Sequence, residues 1–387
     1  MAACMTACSL TSRARSSSSA SPMCRPRPAA PAGAWAGWAP QTKCWPPQPE
    51  GIDTMSVQDQ QQATIGLVDV AHGLPGPAID IVDWVQGQNV APTVIEQLLE
   101  NGCRYFHDGT DQSDAQLISL AIDQMTERGL NPLDVAYVIH AHTEAFSMPA
   151  PPVSVLSQLA ARYGWRTRMA FSVGHLACAS VGNALQWAAT LLRRDPSARY
   201  ALVVTSDRVF GQANHRIRQT AGIQSDGGSA LLIGREGLRA VLDHITVRNH
   251  AELFDGPSNA VNTAAIARSA WVQTKNLLQD HARERGLPVT EMGEILPINA
   301  DRPYWLAIGK SLGLSAEQFF LDNIGRRGHA CCADLAVNLV DRGLSLLDAG
   351  RRVVYCAQSN VGAYAAVAFS PIGPVAAPLA SPQQEAA

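Results

Sequence analysis

A thiol does covalent chemistry at neutral pH only if its proton leaves easily, and Cys178 sits where that is favoured. It lies in GHLACASVGNALQWAATLLRRD, residues 174–195. A small-residue turn (Ala177, Cys178, Ala179, Ser180) leads there into a helical repeat, with Val181, Ala184, Leu185, Ala188 and Leu192 at i, i+3, i+4, i+7 and i+11. The spacing predicts a helix with Cys178 at its N-terminus, where unpaired backbone N–H groups and the helix dipole stabilise a thiolate. The competing reading is an inert buried cysteine, since free Cys is among the most buried residue types.

A second stretch, RRGHACCAD (326–334), holds the groups such a thiol needs. A histidine that takes a proton from sulfur and later from an acceptor keeps one ring nitrogen toward the thiol and has the other fixed by a hydrogen-bond acceptor. His329 and Asp334 are five positions apart with a helix expected to begin between them. A first turn folded back on the loop would make Asp334 that acceptor. Taken singly, Asp334 also suits a plain helix cap and His329 a packing role. Cys331 and Cys332 adjoin His329, and small apolar filling accounts for them. His140 and His142, in VIHAHTE, end a predicted strand but lack a third ligand, so no metal is expected.

A layered α/β fold has to position these groups. Apolar runs predict strands over 65–70, 135–140, 200–205, 295–299, 353–357 and 363–369, and DGGSALLIG (226–234) predicts a tight turn into another strand. Helical patterns fall over 92–101, 113–128 and 333–347. Cys178 lies 25 positions before Val203 of its strand, and His329 lies 25 before Val354. That equal spacing predicts an internal duplication whose two loops face each other, at the strand ends where ligands bind in parallel α/β sheets. The halves expected are 55–237, with the nucleophile, and 238–375, with His329 and Asp334.

Residues 1–54 differ in kind, rich in Pro, Ser, Ala and Arg with only Glu50 and Asp53 acidic. They offer no periodic apolar face, so this leader and the tail 376–387 are expected to be disordered. The leader has the composition of a transit peptide, or translation begins at Met55. A net charge of −3 gives no reason to expect nucleic acid as a partner, and no apolar run reaches bilayer length, so no membrane association is expected. Nine cysteines without paired spacing fit reduced thiols in a cytoplasm.

Together, LACASVGNAL around Cys178, SDGGSALLIG (225–234), Gly328–His329 opening a late helix, and SNVGAYAAVAF (359–369) resemble the thiolase superfamily, and more narrowly ketoacyl-ACP synthase III and its relatives. The resemblance implies a five-layered αβαβα fold of two duplicated halves, an acyl-enzyme at Cys178, and a homodimer. It implies an oxyanion site at the backbone N–H groups of Cys178 and of the 359–362 loop, at Gly362. Asp301, in PINADRPYW, is a candidate to orient an acceptor and Asn360 to line a substrate pocket; Trp305 is a candidate pocket wall, although core packing suits it better. Condensing members use a His in a Pro-His-Gln-Ala-Asn motif and an Asn in a His-Gly-Asn motif. Here PINAD puts Ile298 in place of that His, and RGHAC puts His329 in place of that Asn. An isoleucine side chain has no donor.

The pattern looks like the acyltransferase branch from polyketide and natural-product pathways, which uses a Cys, His and Asp set. The function this implies is acyl transfer from an acyl-CoA or acyl-carrier-protein thioester to a small-molecule hydroxyl or amine, or to a carrier thiol, with no cofactor besides the thioester. A condensing enzyme with an altered site and a non-catalytic partner subunit of a ketosynthase-like heterodimer are the alternatives. Truncation tests the reading of the leader. A chain beginning at Met55 should unfold at the same temperature as the full chain; a drop of several degrees would show that the leader packs.

Overall fold

In a computed structural model of the chain, the residues described are 64–143, 148–149, 152–209, 213–218, 221–250 and 260–375. The leader and tail expectations lie outside them. We number the strands of the main sheet β1 (Gly66–Gly73), β2 (Val135–Ala141), β3 (Met169–Val173), β4 (Tyr200–Asp207), β5 (Gly227–Gly234), β6 (Ala240–Asn249), β7 (Glu294–Pro297), β8 (Val353–Gln358) and β9 (Ala363–Pro371). Their order is β7-β8-β9-β6-β1-β5-β4-β2-β3. Short apolar runs bounded by turn residues form the buried strands, as expected, with ends within three residues of the predicted ones. The sequence patterns did not reveal β3, which is largely exposed, or β6, where Asp243, His244 and Arg248 interrupt the apolar run.

The sheet order shows the duplication. In the first half β3, β2 and β4 pair in parallel, and β5 and β1 follow antiparallel. In the second half β7 pairs in parallel with β8, and β9 and β6 follow antiparallel. The place of β3 is taken there by one parallel bridge, Ile295 to Phe319. Each half therefore runs 3-2-4-5-1, and two pairs between β1 and β6 join them.

Helices make the remaining layers. α1 (Pro92–Glu100) precedes α2 (Asp114–Glu127), which lies on the first half's outer face against β1, β4 and β5. α3 (Val155–Tyr163) packs on α2, and α4 (Ser180–Arg194) lies between the halves, touching β4 and β2 on one side and β6 and β9 on the other. α5 (Ala260–Glu284) covers β9 and β6, and α6 (Arg302–Leu312) follows β7. The helix expected over 333–347 is one run in three pieces, α7 (Asp334–Asn338), a π turn (Leu339–Gly343) and α8 (Leu344–Asp348). Its span of Asp334 to Asp348 equals that of α4, and it packs against β1, β5 and β7 as the second half of the middle layer.

The middle layer explains the composition of α4. A helix between two sheets must be apolar on more than one face, and Val181, Ala184, Leu185, Ala188 and Leu192 are all fully buried. Gly182 lets it approach β9: a Cβ there would lie 2.7 Å from the Ala365 Cβ. Gly182→Val should therefore destabilise the protein by about 1–3 kcal/mol through overpacking, read as a lowered midpoint of denaturant unfolding; an unchanged midpoint would mean that the interface is loosely packed.

Candidate active site

Two sharp turns open the two halves of the middle layer. In the first, Ala177 has φ +47° and starts a 3-10 turn, Ala177–Ala179, that runs into α4. In the second, Cys331 has φ +51° and starts the 3-10 turn Cys331–Ala333 that runs into α7. Neither residue is glycine, so both backbones are held in a conformation that L side chains avoid. The turns pack against each other. Their geometry corrects the pairing suggested by the equal 25-residue spacings. Cys178 and Cys332 hold equivalent second positions in their turns, and His329 is equivalent to His175.

Facing turns bring the three reactive groups together. The Cys178 Sγ lies 3.2 Å from His329 Nε2, and His329 Nδ1 lies 2.5 Å from Asp334 Oδ2. All three are buried. The other contacts of Asp334 are also donors: the Asn299 N–H at 2.7 Å, the Asn299 side-chain amide at 3.1 Å and the Ala330 N–H at 2.7 Å. Held by these donors, the carboxylate fixes the imidazole, with Nδ1 toward Asp334 and Nε2 toward sulfur. The His329 backbone is held as firmly. Its N–H donates to Ile223 O and its carbonyl accepts from the Ser225 N–H, both at 2.9 Å, so the SDGG turn clamps the histidine loop. Gly328, at φ +66°, is needed beside it, because a Cβ there would lie 2.8 Å from Ser225 Oγ.

Charge is displaced along this line. The Cys178 thiol is held well below the ordinary thiol range, first by a hydrogen bond from Cys331, working against burial, and then by the charge and hydrogen bond of His329 and by Thr143. Burial alone would lower the pKa of His329, but Asp334 and the Cys178 thiolate raise it well above the usual imidazole value. Both shifts favour the thiolate on Cys178 and the proton on His329. Burial raises the other thiols: Cys332, helped by Asp207 and Cys178; Cys356; and Cys103, to about 11.

The remaining candidates fall in several places. No hydrogen bond from the Cys178 N–H or the Gly362 N–H is found among the described residues, and Gly362, at φ +74°, accepts from His250 N–H through its carbonyl. Ser359 braces that loop by accepting from the Val361 and Ala363 N–H groups, and Asn360 is exposed. Asp301 caps α6, its carboxylate accepting from Tyr304 N–H. Trp305 takes the core role and not the pocket wall, with no exposure and its indole N–H donating to Ala300 O. Ile298 is buried and its N–H donates to Cys356 O. His140 is buried, hydrogen-bonded to Ser206 and pushed down to about 3, first by burial and then by His142.

Sequence reasoning missed Asn299, Thr143, Gln224 and Asp207. Asn299 adjoins the noted Ile298 and could have been suspected. Thr143, Gln224 and Asp207 act across more than 30 residues, and no local pattern marks them. Asp207 accepts from the Cys332 and Thr143 N–H groups, tying the second turn to the end of β2.

The depressed Cys178 pKa has a measurable sign. As pH falls, a thiolate is lost only on passing through its own lowered pKa, so the iodoacetamide rate at Cys178 should stay nearly flat below pH 8. Asp334→Asn and His329→Ala should return the dependence to that of an ordinary thiol, making alkylation near pH 6.5 about tenfold slower. A wild-type rate that keeps falling with pH from 9 downward would contradict the ion pair.

Known proteins share this frame. The family profile of 3-Oxoacyl-[acyl-carrier-protein (ACP)] synthase III matches residues 175–247, which include Cys178 and the SDGG turn. A beta-ketoacyl-[acyl-carrier-protein] synthase III from Nitratidesulfovibrio vulgaris is 24% identical over 277 residues, 65% of this chain and 82% of that protein. Among solved structures, the acyltransferase ChlB3 superposes with a TM-score of 0.70 at 16% identity, covering 81% of this chain and 99% of that one. The 3-oxoacyl-[acyl-carrier-protein] synthase III of Aquifex aeolicus does so with a TM-score of 0.65 at 14% identity, covering 79% and 99%. The duplicated five-layered fold is the thiolase-like fold of these solved structures, and over residues 175–247 the chain is similar to the ketoacyl-ACP synthase III family.

Proposed function

We propose that this protein is an acyltransferase that moves an acyl group from an acyl-CoA or acyl-carrier-protein thioester, through a Cys178 acyl-enzyme, to a hydroxyl, amine or carrier-thiol acceptor in secondary metabolism. The unbroken hydrogen-bonded line from Asp334 through His329 to Cys178 carries this reading. The Cys178 thiolate attacks the thioester carbonyl, and the oxyanion collects on the N–H groups of Cys178 and Gly362. Collapse expels the carrier thiolate, which takes the His329 Nε2 proton. The neutral imidazole then accepts the proton of the incoming acceptor as it attacks the acyl-enzyme, and Cys178 leaves as the thiolate beside a restored imidazolium. Asp334 stays ionised throughout and holds the ring.

Condensation would have to stabilise an enolate, and the condensing relatives do so with two nitrogen donors. Ile298 supplies none, and His329 already spans Cys178 and Asp334. Losing one such donor costs about 10²–10³ in rate. Transfer to an alcohol or amine needs no enolate. We also propose a homodimer in the cytoplasm. β3 is a sheet edge with Met169 49% exposed, and no helix among the described residues is long and apolar enough to cross a membrane.

Intact-protein mass spectrometry with a panel of acyl-CoA and acyl-carrier thioesters tests the reading. The acyl mass should map to Cys178 and vanish in Cys178→Ala. Turnover should fall on the order of 10³-fold in His329→Ala, with Asp334→Asn equally or less affected because the base remains. A label at Cys331, Cys332 or Cys356, or turnover-linked carbon dioxide from a malonyl thioester, would overturn it.

A further inference from the structure

One buried thiol adjoins this line without a covalent part in it. Cys331 is 1% exposed, and its sulfur accepts a hydrogen bond from the Gln224 side-chain amide at 3.3 Å. The sulfurs of Cys178 and Cys331 and a ring nitrogen of His329 all lie within 4.8 Å of one another. A tetrahedral zinc ion, at about 2.3 Å from sulfur and about 2.0 Å from nitrogen, separates two sulfurs by about 3.8 Å and a sulfur from a nitrogen by about 3.5 Å. The 3.2 Å between Cys178 and His329 is a few tenths short of that, so a small side-chain adjustment suffices.

The outer contacts of such a site already exist. A histidine ligand commonly donates its other ring N–H to a carboxylate, which sets its tautomer and orientation, and His329 is hydrogen-bonded to Asp334 in that way. Gln224 orients Cys331, and the turn at φ +51° fixes where that side chain starts. Two sulfurs and an imidazole select a thiophilic ion over magnesium or calcium, which take oxygen ligands. His140, bonded to Ser206, is not part of the cluster.

We infer that Cys178, His329 and Cys331 form a three-ligand site for a thiophilic divalent cation of the zinc class, whose occupancy excludes the acyl-enzyme. The ion replaces one proton on the imidazolium and one on the Cys331 thiol. Both protons pass to solvent, nothing is oxidised or reduced, and the fourth coordination position is left for water or a thioester sulfur. The inference shares Cys178 and His329 with the proposed acyl transfer but does not depend on it, because binding is read without turnover.

Cobalt(II) titration of the full chain, kept reduced with a phosphine, is the test. One equivalent should give sulfur-to-cobalt charge-transfer absorption with the visible bands of a four-coordinate ion. Zinc(II) should displace it and block iodoacetamide at Cys178, and a chelator should restore alkylation. Cys331→Ala should lose part of the charge-transfer intensity and bind at least about tenfold more weakly. Cys331→Gly, which accepts the left-handed backbone without strain, should behave the same and guards against a folding defect. Cys332→Ala should leave the spectrum unchanged. Absence of saturable cobalt binding, or a spectrum indifferent to both Cys331 substitutions, would overturn the site whatever becomes of acyl transfer.

Discussion

A carboxylate with no solvent exposure sits at the centre of this protein, and the rest of the site is arranged to keep it charged. Removing an ion such as Asp334 from water costs several kcal/mol unless hydrogen bonds replace the water. Four donors do so here, from three residues in two parts of the chain. Asn299 leaves the end of β7, and His329 and Ala330 immediately precede the sharp turn. The carboxylate thereby fixes these two segments relative to one another. Its charge is the source of the raised His329 pKa and, through His329, contributes to the lowered Cys178 pKa.

Duplication supplies an internal control for this electrostatic argument. Cys178 and Cys332 hold the same position in two turns of the same geometry, both are buried, and burial raises both thiols. Their titrations nevertheless move in opposite directions. Cys178 faces an imidazolium and receives the Cys331 hydrogen bond; Cys332 faces the negative charge of Asp207 and donates to Ala177 O at 3.4 Å. The turn and the helix dipole are therefore insufficient to make a thiolate. What separates the two is first the Cys331 hydrogen bond and then the sign of the facing charge, which together outweigh desolvation at Cys178, whereas the charge at Cys332 adds to it.

This limits what the sequence could disclose. The apolar spacing of α4 reports its burial directly, and the DGGSALLIG turn with its strand is equally legible, because both are local patterns. Cys178, His329 and Asp334 could be picked out because each is chemically distinctive and sits at a turn before a helical run. The equal spacings indicated a duplication but matched the wrong residues, since Val203 is the fourth residue of β4 and Val354 only the second of β8, and the loop before β8 is one residue shorter. Thr143, Gln224 and Asp207 were illegible for a physical reason. Their partners lie 35 to 189 positions away, so only the folded sheet order brings them together. Trp305 was open to two readings, pocket wall or core, and its indole N–H, which finds a carbonyl inside the core, decides for the second.

The contrast between Ile298 and Asn299 bears most directly on the chemistry. They leave the same strand end one position apart and so cannot face the same way. Ile298 brings only hydrocarbon, and Asn299 commits both its backbone and side-chain N–H groups to Asp334. The polar capacity of this strand end is thus spent on the base's carboxylate and not on an incoming carbanion. His329 is likewise committed on both ring nitrogens. A site that places its donors behind the histidine strengthens proton transfer to and from sulfur, and it offers a second acceptor's enolate little. That distribution of donors favours moving an existing acyl group over forming a carbon–carbon bond.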